Sequence, residues 1–188
     1  MSDAASALPG AEAGGLVAVR ETGLQGMVTF RADLSEAKDA IRQVTGADMP
    51  GQRGIAQGDG MAVAWMSPDE LLILCDHRDA DRVAADLAQV MAGRHHLAVN
   101  VSDARAMFAL SGEAGALRDV LAKVTPADMA PDALRPGEMR RTRLQQAAAA
   151  IWFESETEAR VICFRSVARY VFDLLAMSAK DGGAVGYH

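Results

Sequence analysis

An α+β fold, made of two βαββα repeats packed together, is what this 188-residue sequence predicts, and three observations predict it. Short apolar runs of strand length alternate with segments whose apolar residues recur at helical spacing. Turn residues with a mechanism separate them, notably Ser67-Pro68-Asp69-Glu70 and Ser111-Gly112. A shift of 80 residues also lays the chain on itself: Met27 falls on Met107, Phe30 on Leu110, Ile41 on Leu121 and Val44 on Val124. Within that register Val44-Thr-Gly-Ala-Asp-Met49 meets Val124-Thr-Pro-Ala-Asp-Met129, five identities in six.

Residues 1–15 are rich in Ala, Gly, Ser and Glu and carry Pro9, which predicts a disordered arm. Leu16–Glu21 reads as a short strand or an extended lead-in, and Met27–Phe30 as a strand. Asp33 or Ser35 is the expected start of a helix whose apolar face is Leu34, Ala37, Ile41 and Val44. Gly46 ends it, and Pro50-Gly51 bars its continuation. Residues 51–59 are Gly-rich and polar, a loop. Met61–Trp65 and Leu71–Cys75 flank the Pro-Asp turn as a β-hairpin. The second of these strands is apolar at every position, so burial on both faces is expected. A second helix from about Asp79 to Gly93 buries Val83, Leu87, Val90 and Met91, and His95–Val101 returns as a strand.

The stretch Val99–Thr125 organises the chain. Ser102 and Asp103 bond nearby backbone and favour a turn. Met107–Leu110 is a buried strand, and Leu117, Val120, Leu121 and Val124 form the apolar face of a helix. Ser111 or Gly112 is the expected cap, with Glu113 in the first turn. Pro126–Arg143 reads as a polar loop. Leu144–Phe153 and Ala159–Phe164 form a second hairpin with an acidic tip, Glu154–Glu158. The last helix starts near Ser166, with Val167, Tyr170, Val171, Leu174 and Leu175 on one side. The element order therefore repeats, and split-βαβ, ferredoxin-like halves are the natural unit. The expected organisation is the arm 1–15, one body over 16–180 made of repeats 24–101 and 102–180, and a flexible tail 181–188.

Half the residues are apolar and 23% are charged, a soluble composition. A net charge of −6 and a pI near 5.2 argue against a general nucleic-acid binder. No apolar run reaches the roughly 20 residues that span a bilayer, and the N-terminus lacks the pattern of a signal peptide. Cys75 and Cys163 lie in apolar runs and read as buried free thiols, which fits a cytoplasmic protein.

The central stretch, with its Val101-Ser-Asp-Ala-Arg105 turn, Met107–Leu110 strand, Gly112 and Leu-bearing helix, resembles the entry motif of the folate-binding aminomethyltransferase fold. Trp65-Met-Ser-Pro-Asp-Glu-Leu-Leu-Ile-Leu74 is similar to the Pro-Asp-Glu hairpin of those proteins. Arg141-Thr-Arg-Leu144 and Arg165-Ser-Val-Ala-Arg-Tyr-Val-Phe-Asp-Leu-Leu175 resemble segments of the gamma-subunit family of heterotetrameric sarcosine oxidase. Val167 departs from that family's Arg-Ser-Phe-Ala-x-Tyr pattern, in which an aromatic residue stands there. The resemblance spans roughly residues 20–178. It implies a non-catalytic, structural subunit of a flavoenzyme that oxidatively demethylates sarcosine to glycine. The products would be hydrogen peroxide with formaldehyde or methylene-tetrahydrofolate. Alpha, beta and delta subunits would be its partners, and FAD, FMN, NAD and tetrahydrofolate would belong to those partners, with no cofactor in this chain. A stand-alone folate-binding aminomethyltransferase-like protein is the alternative.

Weighed singly, the residues point the same way. There is no G-x-G-x-x-G after a strand and no P-loop. His95 and His96 are adjacent on a strand, so their rings point to opposite faces, and no third metal ligand has helpful spacing. Asp103 and Arg105 could form an acid–base pair, but a turn cap and a local ion pair explain them better. Cys163 has no neighbouring His. No catalytic, cofactor-binding or metal-binding residue is assigned. Arg135, Arg140, Arg141 and Arg143 form the one basic cluster, and two readings stand: a solvated loop, or a patch facing a partner subunit.

Overall fold

A computed structural model describes residues 4–187; Met1 to Asp3 of the expected arm and His188 of the tail lie outside the described residues. In chain order, β1 (Glu12–Ala13) and β2 (Val17–Glu21) come first. The first repeat is β3 (Gly26–Ala32), α1 (Lys38–Thr45), β4 (Ile55–Gln57), β5 (Ala62–Ser67), β6 (Glu70–Cys75) and α2 (Ala80–Val90). β7 (His96–Asn100) leads into the second repeat: β8 (Arg105–Gly112), α3 (Ala114–Ala122), β9 (Met139–Leu144), β10 (Ala147–Ser155), β11 (Glu158–Phe164) and α4 (Ala168–Ser178).

The chain forms two compact units. Leu24–Asp103 carries a five-stranded antiparallel sheet in the order β4-β5-β6-β3-β7. The residues up to Gly23 and from Ala104 onward carry a six-stranded one, β1-β2-β8-β11-β10-β9. Each repeat has one strand more than expected. β4 lies in the segment expected to be a Gly-rich loop, and β9 in the one expected to be a polar loop. Both are edge strands, and an edge tolerates the glycines and arginines that hid them.

The duplication extends beyond the first register. A shift of 88 carries α2 onto α4, and the short 3-10 turn His77–Asp79 onto Arg165–Val167. It also carries the bulge between Trp65 and Ser67 onto the one between Phe153 and Ser155. The step from 80 to 88 is an insertion in the loop after Met129. The strand leading into each repeat joins the sheet of the other: β2 pairs with β8, and β7 pairs with β3.

Each unit has its own apolar core. Phe30, Ile41, Leu71, Ile73, Val83, Leu87 and Met91 anchor the first. Phe108, Leu110, Leu117, Val120, Leu121, Phe153, Val161 and Leu175 anchor the second. All six residues of β6 are buried, as their unbroken apolar run requires.

Several expectations are corrected. The expected disordered arm is tied down between Ser6 and Ala13. Ala7, Leu8, Ala11 and Ala13 pack on the second core, and β1 pairs with β2. The buried Glu21 carboxylate accepts from the Ser6 hydroxyl at 3.0 Å, the Gly23 N–H at 3.0 Å and the Leu8 N–H at 3.4 Å. α1 starts at Lys38 because Asp33 turns its carboxylate to the N–H and hydroxyl of Ser35, closing a local turn instead. Glu113 itself caps α3, accepting from the Ala116 N–H at 2.9 Å, while Ser111 and Gly112 still belong to β8. On α4, Tyr170 is exposed and Phe172 goes inside, its ring 6.0 Å from that of Phe108. The tail is held too: the Gly186 N–H donates to Asp119 at 2.7 Å, and Lys123 donates to the Gly183 carbonyl at 2.9 Å.

Candidate functional site

The basic cluster falls on one strand and the loop that leads into it. Met139 and Leu144 are buried at the two ends of β9, and Arg141 and Arg143 are exposed between them on one face. Arg140 points the other way, is half-buried, and donates to the Ala133 carbonyl at 2.8 Å. Arg135 is exposed in the loop. The loop is held at its other end by Thr125, whose hydroxyl meets that of Thr142 at 2.9 Å.

The loop owes its shape to a residue that helical patterning did not single out. Arg118, on α3, is 1% exposed. It donates to the carbonyls of Met129 at 2.8 Å and Leu134 at 3.1 Å, and to the Glu156 carboxylate at 2.9 Å. Its guanidinium lies 4.3 Å from the centre of the Phe153 ring. A planar guanidinium with donors on separate nitrogens reaches two loop carbonyls and one carboxylate together, and it does so in a fixed geometry that the point charge of a lysine lacks. The available signal was an arginine beside the apolar stripe of a helix that precedes a long insertion. Of the four arginines, Arg135, Arg141 and Arg143 are exposed, and Arg140 is held against the loop.

The other singled-out residues do not converge on a reactive arrangement. His96 Nδ1 lies 2.9 Å from the Arg94 carbonyl oxygen. His95 and His96 line an open concavity of about 750 Å³ with Arg31, Asp33, Asp69 and Leu97. Arg31 there is bound to Glu70 at 2.8 Å and to Asp69 at 3.4 Å. Among the described residues no group of three or more His, Cys, Asp or Glu side chains is placed to hold a metal ion. Asp103 meets His77 at 4.0 Å, and Arg105 lies over the Phe164 ring at 4.7 Å, so each has a neighbour other than the one the sequence suggested. Cys75 and Cys163 are both buried free thiols. Burial, reinforced by the carboxylates of Asp79 and Asp76, pushes the Cys75 thiol up to about 11. Burial pushes that of Cys163 to about 12, against the opposing pull of Arg105. Neither is a nucleophile near neutrality. No helix among the described residues is long and apolar enough to cross a membrane.

Residues 31–181 match the family described as sarcosine oxidase, gamma subunit family. The chain belongs to that family. It is 30% identical over 155 residues to the sarcosine oxidase subunit gamma of Arthrobacter sp, covering 81% of this chain and 74% of that one. It is 30% identical over 165 residues to the subunit gamma of Corynebacterium sp. (strain U-96), covering 84% and 78%. Among solved structures, a chain of the heterotetrameric sarcosine oxidase from Corynebacterium sp. U-96, in complex with pyrrole 2-carboxylate, superimposes with a TM-score of 0.78 at 26% identity. That match covers 89% of this chain and 87% of that one. Aminomethyltransferase T of the glycine cleavage system from Bartonella henselae shares the fold, with a TM-score of 0.63 at 13% identity, over 89% of this chain and 47% of that one. The gamma-subunit fold and its likeness to aminomethyltransferases are thus as the sequence resemblance implied.

Proposed function

We propose that this gamma chain is an assembly subunit of a heterotetrameric sarcosine oxidase, and that it contributes no catalytic residue. Its partners are the alpha, beta and delta subunits, and the flavins, NAD and tetrahydrofolate reside in them. The observation that carries this reading is the superposition on a chain of such a heterotetramer over nearly the full length of both. The chemistry agrees: the thiols are buried and protonated, and Asp103, which faces His77, is 86% exposed. The exposed Arg135, Arg141 and Arg143 serve as a patch for acidic residues of a large subunit, with Arg140 holding the loop behind them.

Co-expression of the four subunits with a tag on this chain tests the proposal. The tagged chain is expected to recover a flavin-coloured complex that makes hydrogen peroxide from sarcosine. The same chain alone is expected to be colourless and inactive, and its omission to lower the yield of assembled oxidase. Sarcosine oxidation by the isolated chain, or tetrahydrofolate binding to it by calorimetry, would favour the stand-alone reading and overturn this one.

A further inference from the structure

The four sheet edges among the described residues are not alike. β1 is two residues long and β4 three, too short to template much pairing. β9 carries three arginines in six residues, a common way of keeping an edge from pairing. β7 is different. It spans five residues, has no Lys, Arg, Asp, Glu or Pro, and exposes Leu97 and Val99 at 48% and 40%.

The backbone of β7 is also open in a defined pattern. The Val101 N–H donates to the Met27 carbonyl at 2.8 Å, so that pair is a hydrogen-bonded one. Bonded and non-bonded pairs alternate in an antiparallel ladder. Val99 with Thr29 and Leu97 with Arg31 are therefore bonded pairs, and the backbone groups of His96, Ala98 and Asn100 point away from β3. Among the described residues no strand lies on that side.

The duplication shows what such an edge takes. β2 stands in the second sheet where β7 stands in the first, beside the opening strand of the repeat. There the outer edge is filled: Ala13 and Glu12 pair antiparallel with Val19 and Arg20, and the Glu21 N–H donates to the Ala11 carbonyl at 2.9 Å. Charge gives the missing strand a direction. The start of β7 is flanked by the exposed Arg94 and His95, and its end by the exposed Asp81 and Asp103. An antiparallel guest fits best with a basic residue at its beginning and an acidic one at its end.

We infer that β7 is the docking edge for a large subunit of the oxidase, which adds a short antiparallel strand of alternating apolar residues to the five-stranded sheet. The inference rests on the assembly role proposed above. The guest bonds the outward groups of His96, Ala98 and Asn100, and its side chains cover Leu97 and Val99.

Hydrogen exchange on the isolated chain and on the assembled complex tests this residue by residue. The amides of Ala98 and Asn100 are expected to exchange fast in the isolated chain and slowly in the complex. Those of Leu97 and Val99, bonded to β3, are expected to be slow in both. Ala98→Pro removes one outward N–H and no bond to β3, and Leu97→Asp charges an exposed position. Each is expected to reduce the recovered complex by roughly tenfold or more, with the isolated chain still folded by circular dichroism. Unchanged Ala98 and Asn100 exchange on assembly, or full recovery of both variants, would overturn strand addition while leaving the assembly role intact. Protection of the same amides in the isolated chain as its concentration rises would also overturn it, in favour of a second copy of this chain. Failure of the wild-type chain to recover any large subunit would sink the assembly role itself.

Discussion

Arg118 shows how one buried side chain fixes a surface. It satisfies the Met129 and Leu134 carbonyls from inside the fold and so ties the loop that ends in β9 to α3. Arg118→Met keeps the volume and leaves those acceptors without their donor. It is expected to cost about 3 kcal/mol in urea unfolding. Glu156→Gln should cost less, about 1 kcal/mol, because Glu156 is 55% exposed and the amide oxygen still accepts from Arg118. Titration provides a second residue-scale prediction. The N–H of Ala116, then those of Gly115 and Ala114, hold the Glu113 carboxyl below its ordinary value. The side chain and backbone of Arg78 hold that of Asp76 down to about 2. A carboxyl depressed in the folded state stabilises it above the ordinary pKa and ceases to as pH falls through the folded one. Melting temperature should therefore fall as pH drops from about 4.5 toward 2. Glu113→Gln and Asp76→Asn should each lower it near neutrality and flatten that fall.

At the scale of elements, the joint between α1 and β5 is set by close backbone approach. Gly46 closes α1 at a φ of 69°, its N–H donating to the Arg42 carbonyl. Gly58 passes so near that an added Cβ would lie 2.1 Å from the Thr45 carbonyl oxygen and 2.5 Å from the Ala47 nitrogen. Gly58→Ala should destabilise by more than about 2 kcal/mol in denaturant unfolding. Gly51→Ala, where nothing stands within 4 Å, should change little. Both hairpins and the helices α1 to α4 were legible in the sequence, because apolar periodicity and turn chemistry are local signals. β1, β4 and β9 were not. Each is an edge strand, and an edge needs an apolar pattern on neither face to be bonded on one side. The basic cluster was visible as composition, yet that Arg140 turns inward while Arg141 and Arg143 face out depends on the register of β9 against β10.

For the whole molecule, the exchange of leading strands makes chain order and spatial order differ. Val17 and Val19 are buried in the second core although they precede the first repeat. A fragment from Ala104 to the C-terminus lacks β2 beside β8 and should be unfolded by circular dichroism. A peptide of residues 4–23 is expected to restore its β signal. If the fragment folds alone, β2 is dispensable to that sheet.

By itself the sequence determined the duplication, the alternation of strands and helices, the buried thiols and the resemblance to gamma subunits. All of these are written in short-range spacing or in residue identity. Only the tertiary structure decided that β2 and β7 cross to each other's sheets, that Arg118 goes inside, and that β7 is left with an open edge. Strand partners are chosen by hydrogen bonds between distant segments. The burial of an arginine depends on which carbonyls a distant loop brings to it, and neither leaves a periodic trace along the chain.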